Sequence, residues 1–292
     1  MKTIIFILSI IFTVNISYTE VNVVTTTTTI YDLVKEVGGD RVNVDYLCRG
    51  SQDPHFLEVM PSYMLKLRKA DLVMEIGLDI EKWLPQLIDG SRNTNLKLID
   101  LSVNVEKKEV PASKPDASQG DIHPYGNPHY WLDPENVKII ANEIFNALVN
   151  FSPENAGYFK RNLDNYISVL DKKIDTWKKE MDKLKGKPIV TFHSSWVYFA
   201  DRYGLKVVGH VEPKPGIPPT PSHNAELIQI IKNTGAKIIL MENYYSDSAP
   251  KQISQITGIK VIKAPVAPYG IENVDTYIKM MDYIVNQLVK NA

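Results

Sequence analysis

The 292-residue chain carries 33 Lys and Arg against 34 Asp and Glu, a net charge of −1, with 44% hydrophobic and 23% charged residues. That is the composition of a soluble globular protein long enough for one large or two moderate domains. A balanced charge without a Lys/Arg run argues against a nucleic-acid partner, and a single cysteine, Cys48, rules out an internal disulfide.

Lys2 precedes an apolar run from Ile4 to Ile16, which ends in the small and polar residues Ser17 and Thr19. The run is shorter than the roughly 20 residues a membrane span needs, and its pattern reads as a secretory signal peptide over residues 1–19. No later segment reads as a span, so a soluble mature protein outside the cytoplasmic membrane is expected. Cys48 lies too far beyond the signal to carry an N-terminal lipid.

Over residues 20–151, β-rich runs alternate with helical patterns: "VNVVTTT" and "IYDLVKEVGGD", "RVNVDYL" and "PSYMLKLRKA", "DLVMEIG" and "IEKWLPQLIDG", then "LKLIDLS". Such alternation predicts βα units on a largely parallel sheet. The stretch "EKKEVPASKPDASQGDIHPYG" has no apolar period and reads as a mobile surface loop. A helix then starts with Asp133 as N-cap and Pro134 in its first turn. Residues 152–186 place Leu163, Tyr166, Ile167, Leu170, Ile174, Trp177, Met181 and Leu184 at helical spacing, between a Ser152-Pro153 start and a Gly186 stop. This predicts one long rigid linking helix. Residues 187–292 resume the alternation, from "KPIVTF" to a terminal helix at about 274–290. The expected architecture is two α/β lobes of similar size sharing a cleft, with limited hinge motion.

There are six histidines, at positions 55, 123, 129, 193, 210 and 223. His55 follows the strand "VNVDYL", His129 lies beyond "LKLIDLS", and His193 follows "IVTF". Loops at strand C-termini open into the crevice where α/β sheets bind ligands. "QDPHFLEVMPS" and "NPHYWLDPEN" each set a histidine between a proline and an aromatic, so the imidazole comes from a stiff loop. Three imidazoles plus one further donor make a tetrahedral set for zinc or a related ion. A lone loop histidine is more often a partly buried residue with a hydrogen-bond partner; the three together carry the metal reading. HExxH, GxSxG, P-loop and GxGxxG motifs are all missing.

"DPHFLEVMPS", "NPHYWLDPEN" and "FHSSWVYFADRYG", in this order around a long central helix, resemble the zinc/manganese-binding lipoproteins and periplasmic receptors of metal ABC transporters, the cluster A-I or ZnuA/TroA-like group. The resemblance covers essentially the whole mature chain. It implies two Rossmann-like lobes with mostly parallel sheets, a metal site in the interlobe cleft, and delivery of the ion to a membrane permease. The family's three nitrogen-ligand positions fall on His55, His129 and His193. Manganese members often have a carboxylate at the third, so a histidine there points to Zn2+, with Mn2+ the alternative.

The family's fourth ligand, an aspartate near the C-terminus, falls in "IKAPVAPYGIEN", where Ala267 occupies the position. Glu242 at the end of "KIILME", His223 in "PTPSHNAEL", or a bound water can take its place. Glu242 is preferred, because a carboxylate offsets the charge of a dication among neutral imidazoles; the alternative is an orienting role behind the ligands. His223 gains from Thr220 and Pro221, which read as a helix N-cap and first turn. The loop 212–223, with five prolines, reads as a cleft wall, a permease-docking surface or a passive connector. His123 is a candidate auxiliary metal-capturing residue, and His210 reads as structural. Phe56, Tyr130, Trp131, Trp196 and Tyr198 would exclude water from the ligands, although the helical spacing of Trp196 and Phe199 also suits plain core.

The expectation is a periplasmic, monomeric, non-enzymatic solute-binding protein that captures a divalent metal for an ABC permease. A zinc hydrolase with a three-histidine site and a metal-binding surface adhesin are the alternatives.

Overall fold

The computed structural model describes residues 20–113, 120, 123–214 and 216–292. The expected signal peptide, 1–19, and the centre of the loop before His129 lie outside the described residues. Among the described residues, no helix is long and apolar enough to cross a membrane.

The first lobe is a four-stranded parallel sheet in the order β2-β1-β3-β4, built from β1 (Val21–Thr27), β2 (Val42–Cys48), β3 (Leu72–Glu75) and β4 (Lys97–Asp100). Its helices are α1 (Thr28–Gly38), α2 (Pro61–Lys69), α3 (Leu84–Ser91) and α4 (Pro134–Phe151). The second lobe repeats the winding as β6-β5-β7-β8, with β5 (Pro188–Thr191), β6 (Lys206–His210), β7 (Ile238–Glu242) and β8 (Lys260–Ala264). Here the helices are α6 (Val197–Tyr203), α7 (Pro221–Thr234), α8 (Ser248–Thr257) and α9 (Tyr277–Asn291). Parallel strands covered on both faces read as continuous apolar runs, and β7, "IILME", is buried at every position. The edge strand β4 has no fully buried residue.

Between the lobes runs α5 (Ala156–Met181), 26 residues long, flanked by 3-10 turns at Pro153–Asn155 and Asp182–Leu184. Its buried stripe includes Leu163, Tyr166, Leu170, Ile174, Trp177 and Met181, at the 3.6-residue period of one helix face. That stripe packs on α1 and α4 of the first lobe and on α9 of the second. One hydrophobic core therefore runs through both lobes, from Val23 on β1 through Trp177 to Leu288 on α9. The opposite sheet faces carry separate clusters, around Val24, Leu67 and Val73 in one lobe and Val190, Ile239 and Met241 in the other. Adjacent strand residues such as Val23 and Val24 feed different clusters because successive side chains point to opposite faces.

Polar contacts also tie the lobes together. The Thr28 hydroxyl donates to the Pro268 carbonyl at 2.6 Å, and Asn243 Nδ2 donates to the carbonyls of Gly50 and Gly270. Gly50 has no room for a side chain, since a Cβ there would run into the Pro268 carbonyl. Asp133 caps α4 through the Glu135 N–H, as expected of it, and also takes two 2.7 Å hydrogen bonds from the Arg202 guanidinium on α6. Asp133→Ala thus removes a cap and a charged bridge together, and should cost about 2–3 kcal/mol in a urea unfolding midpoint. Arg202→Ala leaves the buried Asp133 carboxylate without its cation and should cost about 1–3 kcal/mol.

Candidate metal site

The three histidines singled out by their loops meet in the interlobe cleft. His55 comes from the loop after β2, His129 from the loop before α4, and His193 from the turn after β5. One nitrogen from each lies within 4.8 Å of the others, and all three residues are buried. The ring centroids form a nearly equilateral triangle, 5.1 Å for His55–His129, 5.4 Å for His129–His193 and 5.5 Å for His55–His193. Tetrahedral zinc with Zn–N of about 2.0–2.1 Å sets its nitrogens roughly 3.4 Å apart.

Each ring is held from behind through Nδ1. His55 Nδ1 is 2.7 Å from Asp53 Oδ1, His129 Nδ1 is 3.0 Å from Asn127 Oδ1, and His193 Nδ1 is 2.8 Å from Glu212 Oε2. An acceptor at Nδ1 places the ring proton there and leaves Nε2 with its lone pair. Correspondingly, the buried Nε2 atoms of His55 and His129 have no hydrogen-bond partner. The backbone supports this locally: the Asp53 and Asn127 side chains also accept the backbone N–H of the histidine two residues on, so each forms a compact turn.

The electrostatics divide the trio. Burial, reinforced by the neighbouring His55, His193 and His123, holds His129 well below the usual imidazole range and therefore neutral. Burial also pushes His193 down, but the Glu212 hydrogen bond and the charges of Glu242, Glu212 and Asp53 outweigh it, and the net shift is upward. Asp53 is pushed up by burial, yet its contacts with His55 win and its carboxyl titrates below the usual range.

Glu242 ends β7, fully buried and near enough to act electrostatically on His193, but its carboxylate is not among the atoms of the three-histidine group. Burial pushes its pKa up to about 7, His193 opposes this, and the nearby Ser195 hydroxyl lies outside hydrogen-bonding geometry. Neither carboxylate oxygen accepts a hydrogen bond. A buried carboxylate in this condition calls for a proton or a cation.

His123 is closer to the site than a mobile surface loop suggests. It is 8% exposed, its ring centroid is 5.2 Å from that of His55, and its Nδ1 lies 3.2 Å from the Asp79 carbonyl. The first arm of its loop is also pinned, by the Tyr198 hydroxyl at the Lys108 N–H and by Asn127 at Glu109. His223 is directed elsewhere. Thr220 caps its helix as expected, but His223 Nε2 bonds the His210 carbonyl at 2.9 Å. His210 itself meets Thr191 Oγ1 at 2.7 Å, a structural contact between β5 and β6. Among the aromatics, Tyr130, Trp131, Trp196 and Tyr198 are buried around the ligand loops. Phe56 departs from its expected water-excluding role: at 68% exposure its ring points out of the cleft, because His55 takes the inward side of that turn.

The family model described as ZnuA, zinc-uptake complex component A periplasmic, matches residues 23–291. The chain belongs to this family. Its relatives include a metal ABC transporter substrate-binding lipoprotein of Lactococcus lactis, 27% identical over 282 residues, covering 93% of this chain and 88% of the relative. The manganese ABC transporter substrate-binding lipoprotein PsaA of Streptococcus pneumoniae is 26% identical over 282 residues, with 93% and 89% covered. The zinc-binding lipoprotein AdcA of the same species is 27% identical over 245 residues, 82% of this chain and 49% of the relative. A crystal structure of ZnuA superposes with a TM-score of 0.81 at 22% identity, covering 93% of this chain and 99% of that one, which shows the shared fold.

Asp53 and Glu212 reach no ligand position, and neither stands out in the sequence as a partner of a histidine. Asp53→Ala should lower zinc affinity by about 10–100-fold, the usual effect of removing a group that orients a ligating imidazole. Chelator-competition titration of the metal-stripped variant measures this, and an affinity within threefold of the parent would contradict the orienting role.

Proposed function

We propose that this ZnuA-family chain is the extracytoplasmic substrate-binding component of a metal ABC transporter. It holds one divalent transition-metal ion between its lobes on Nε2 of His55, His129 and His193, and hands it to a membrane permease. The observation that carries this reading is the buried triangle of imidazoles, each with Nδ1 occupied from behind. Such a trio is preset to bind a cation. Family membership favours this reading over a hydrolase.

Zinc is the preferred ion. Three nitrogen donors suit zinc, whereas manganese favours oxygen-rich sites, and relatives carry both zinc-binding and manganese names. Glu242 is our choice for the fourth donor, because its buried carboxylate has no hydrogen-bond partner among the described residues and acts electrostatically on His193. His123 is the second candidate, favoured by its ring contact with His55. The mature chain acts as a periplasmic monomer.

Calorimetric titration of the metal-stripped protein tests the proposal. One equivalent of zinc should bind tightly, with manganese weaker, and no tight uptake of either ion would end it.

A further inference from the structure

The second lobe contains a cavity of about 750 Å3 that plays no part in holding the ion. This is within the range of small-molecule pockets, about 300–1,000 Å3. It lies between α7 and α8, with Glu212, Pro218 and Pro219 ahead of α7 in its wall. Phe192, Pro218, Ala249 and Ile253 supply apolar lining, and the Tyr245 ring stacks on Phe192 with centroids 4.7 Å apart.

Glu212 is the one charged side chain among the described residues that line it. Oε2 of its carboxylate meets His193 Nδ1 at 2.8 Å and the Gly216 N–H at 3.3 Å, and among the described residues none donates to Oε1. The same residue thus stands behind a metal-site histidine and in the wall of an apolar chamber. A mostly apolar pocket with a single carboxylate in its wall is complementary to a cation with an apolar body.

We propose that this cavity binds a small organic amine, with its ammonium on the Glu212 carboxylate and its hydrocarbon body against Phe192, Pro218 and Ile253. Occupancy also loosens the metal site, because an ammonium on Glu212 draws negative charge away from His193 and makes that imidazole a poorer donor. By linkage, zinc weakens amine binding by the same factor, on the order of fivefold. The coupling rests on the metal reading above, whereas the cavity site does not.

The test titrates phenethylamine, with 2-phenylethanol as the neutral probe, into the mature protein in metal-stripped and zinc-loaded forms, followed by ligand-observed NMR. Phenethylamine should saturate with Kd below about 1 mM, and phenylethanol should bind at least about tenfold more weakly. Ala249→Trp fills the chamber and leaves Glu212 and the histidines in place; it should abolish amine binding and keep zinc affinity. No saturation by about 10 mM, equal binding of the neutral probe, or unchanged binding in Ala249→Trp overturns the site; the neutral-probe comparison needs no variant to fold. An amine Kd equal in both metal states, with zinc tightly bound, overturns the coupling alone. Intact amine binding in a protein that takes up no zinc overturns the metal reading and leaves the cavity standing.

Discussion

Replacing His193 with alanine lowers zinc affinity by roughly 100-fold or more. Structural zinc sites bind with about 10–16 kcal/mol, so a quarter of that is on the order of 3 kcal/mol per ligand, and each 1.4 kcal/mol is tenfold. The variant also leaves the Glu212 carboxylate without its imidazole partner, which should cost the metal-free fold about 1–3 kcal/mol. Chelator competition reads the affinity and urea unfolding reads the stability. Zinc binding within threefold of the parent would remove His193 from the site. Glu242→Gln and His123→Ala in the same assay choose between the two candidates for the fourth donor: the larger loss marks it.

The second large effect concerns stability against pH. Asp32 on α1 is 6% exposed and accepts the Tyr277 N–H at the start of α9 at 2.7 Å, so it lies where the last helix of one lobe meets the first helix of the other. Burial pushes its pKa from 3.8 to about 7, partly offset by that N–H. The folded state therefore holds the proton more tightly than the unfolded chain. The stability this confers is fully present below about pH 4 and is lost as pH rises towards 7. At 1.36 kcal/mol per unit the whole effect is about 4 kcal/mol. Glu75, raised to about 7, and Glu81, raised to about 8, both through burial, act with the same sign. Urea midpoints should fall between pH 5 and pH 8. Asp32→Asn, whose amide oxygen can still accept the Tyr277 N–H, should flatten part of that slope and be the more stable protein at pH 8. An unchanged slope in the variant would show that Asp32 is ionised at little cost.

Much of the site was legible because its parts are local. A proline before His55 and one before His129 mark stiff loops, and "IVTF" before His193 marks a strand end, so strand-and-loop reasoning placed all three at one cleft. The Asp133 and Thr220 caps were readable for the same reason: a cap acts within three residues of itself. Asp53 and Asn127 sit two residues before the histidines they hold, a spacing visible in the sequence, though nothing in it says that either side chain turns back on its neighbour. Glu212 is 19 residues from His193, and the pairing of β5 with β6 brings them together. His123 followed the same logic in reverse. Its loop has no apolar period, so the sequence reads it as surface, yet its ring is packed against His55.

By itself, the sequence determined the alternation of strand and helix, the long linking helix, the family and the imidazole trio. Those depend on periodicity and on short motifs, which report on neighbours a few residues apart. Only the tertiary structure decided that one core runs through both lobes, that Glu212 serves His193, that His223 is spent on the His210 carbonyl, and that Phe56 faces outward. Each of these depends on which distant segments meet, and burial and hydrogen bonding between distant segments are properties of the packed chain that no local pattern encodes.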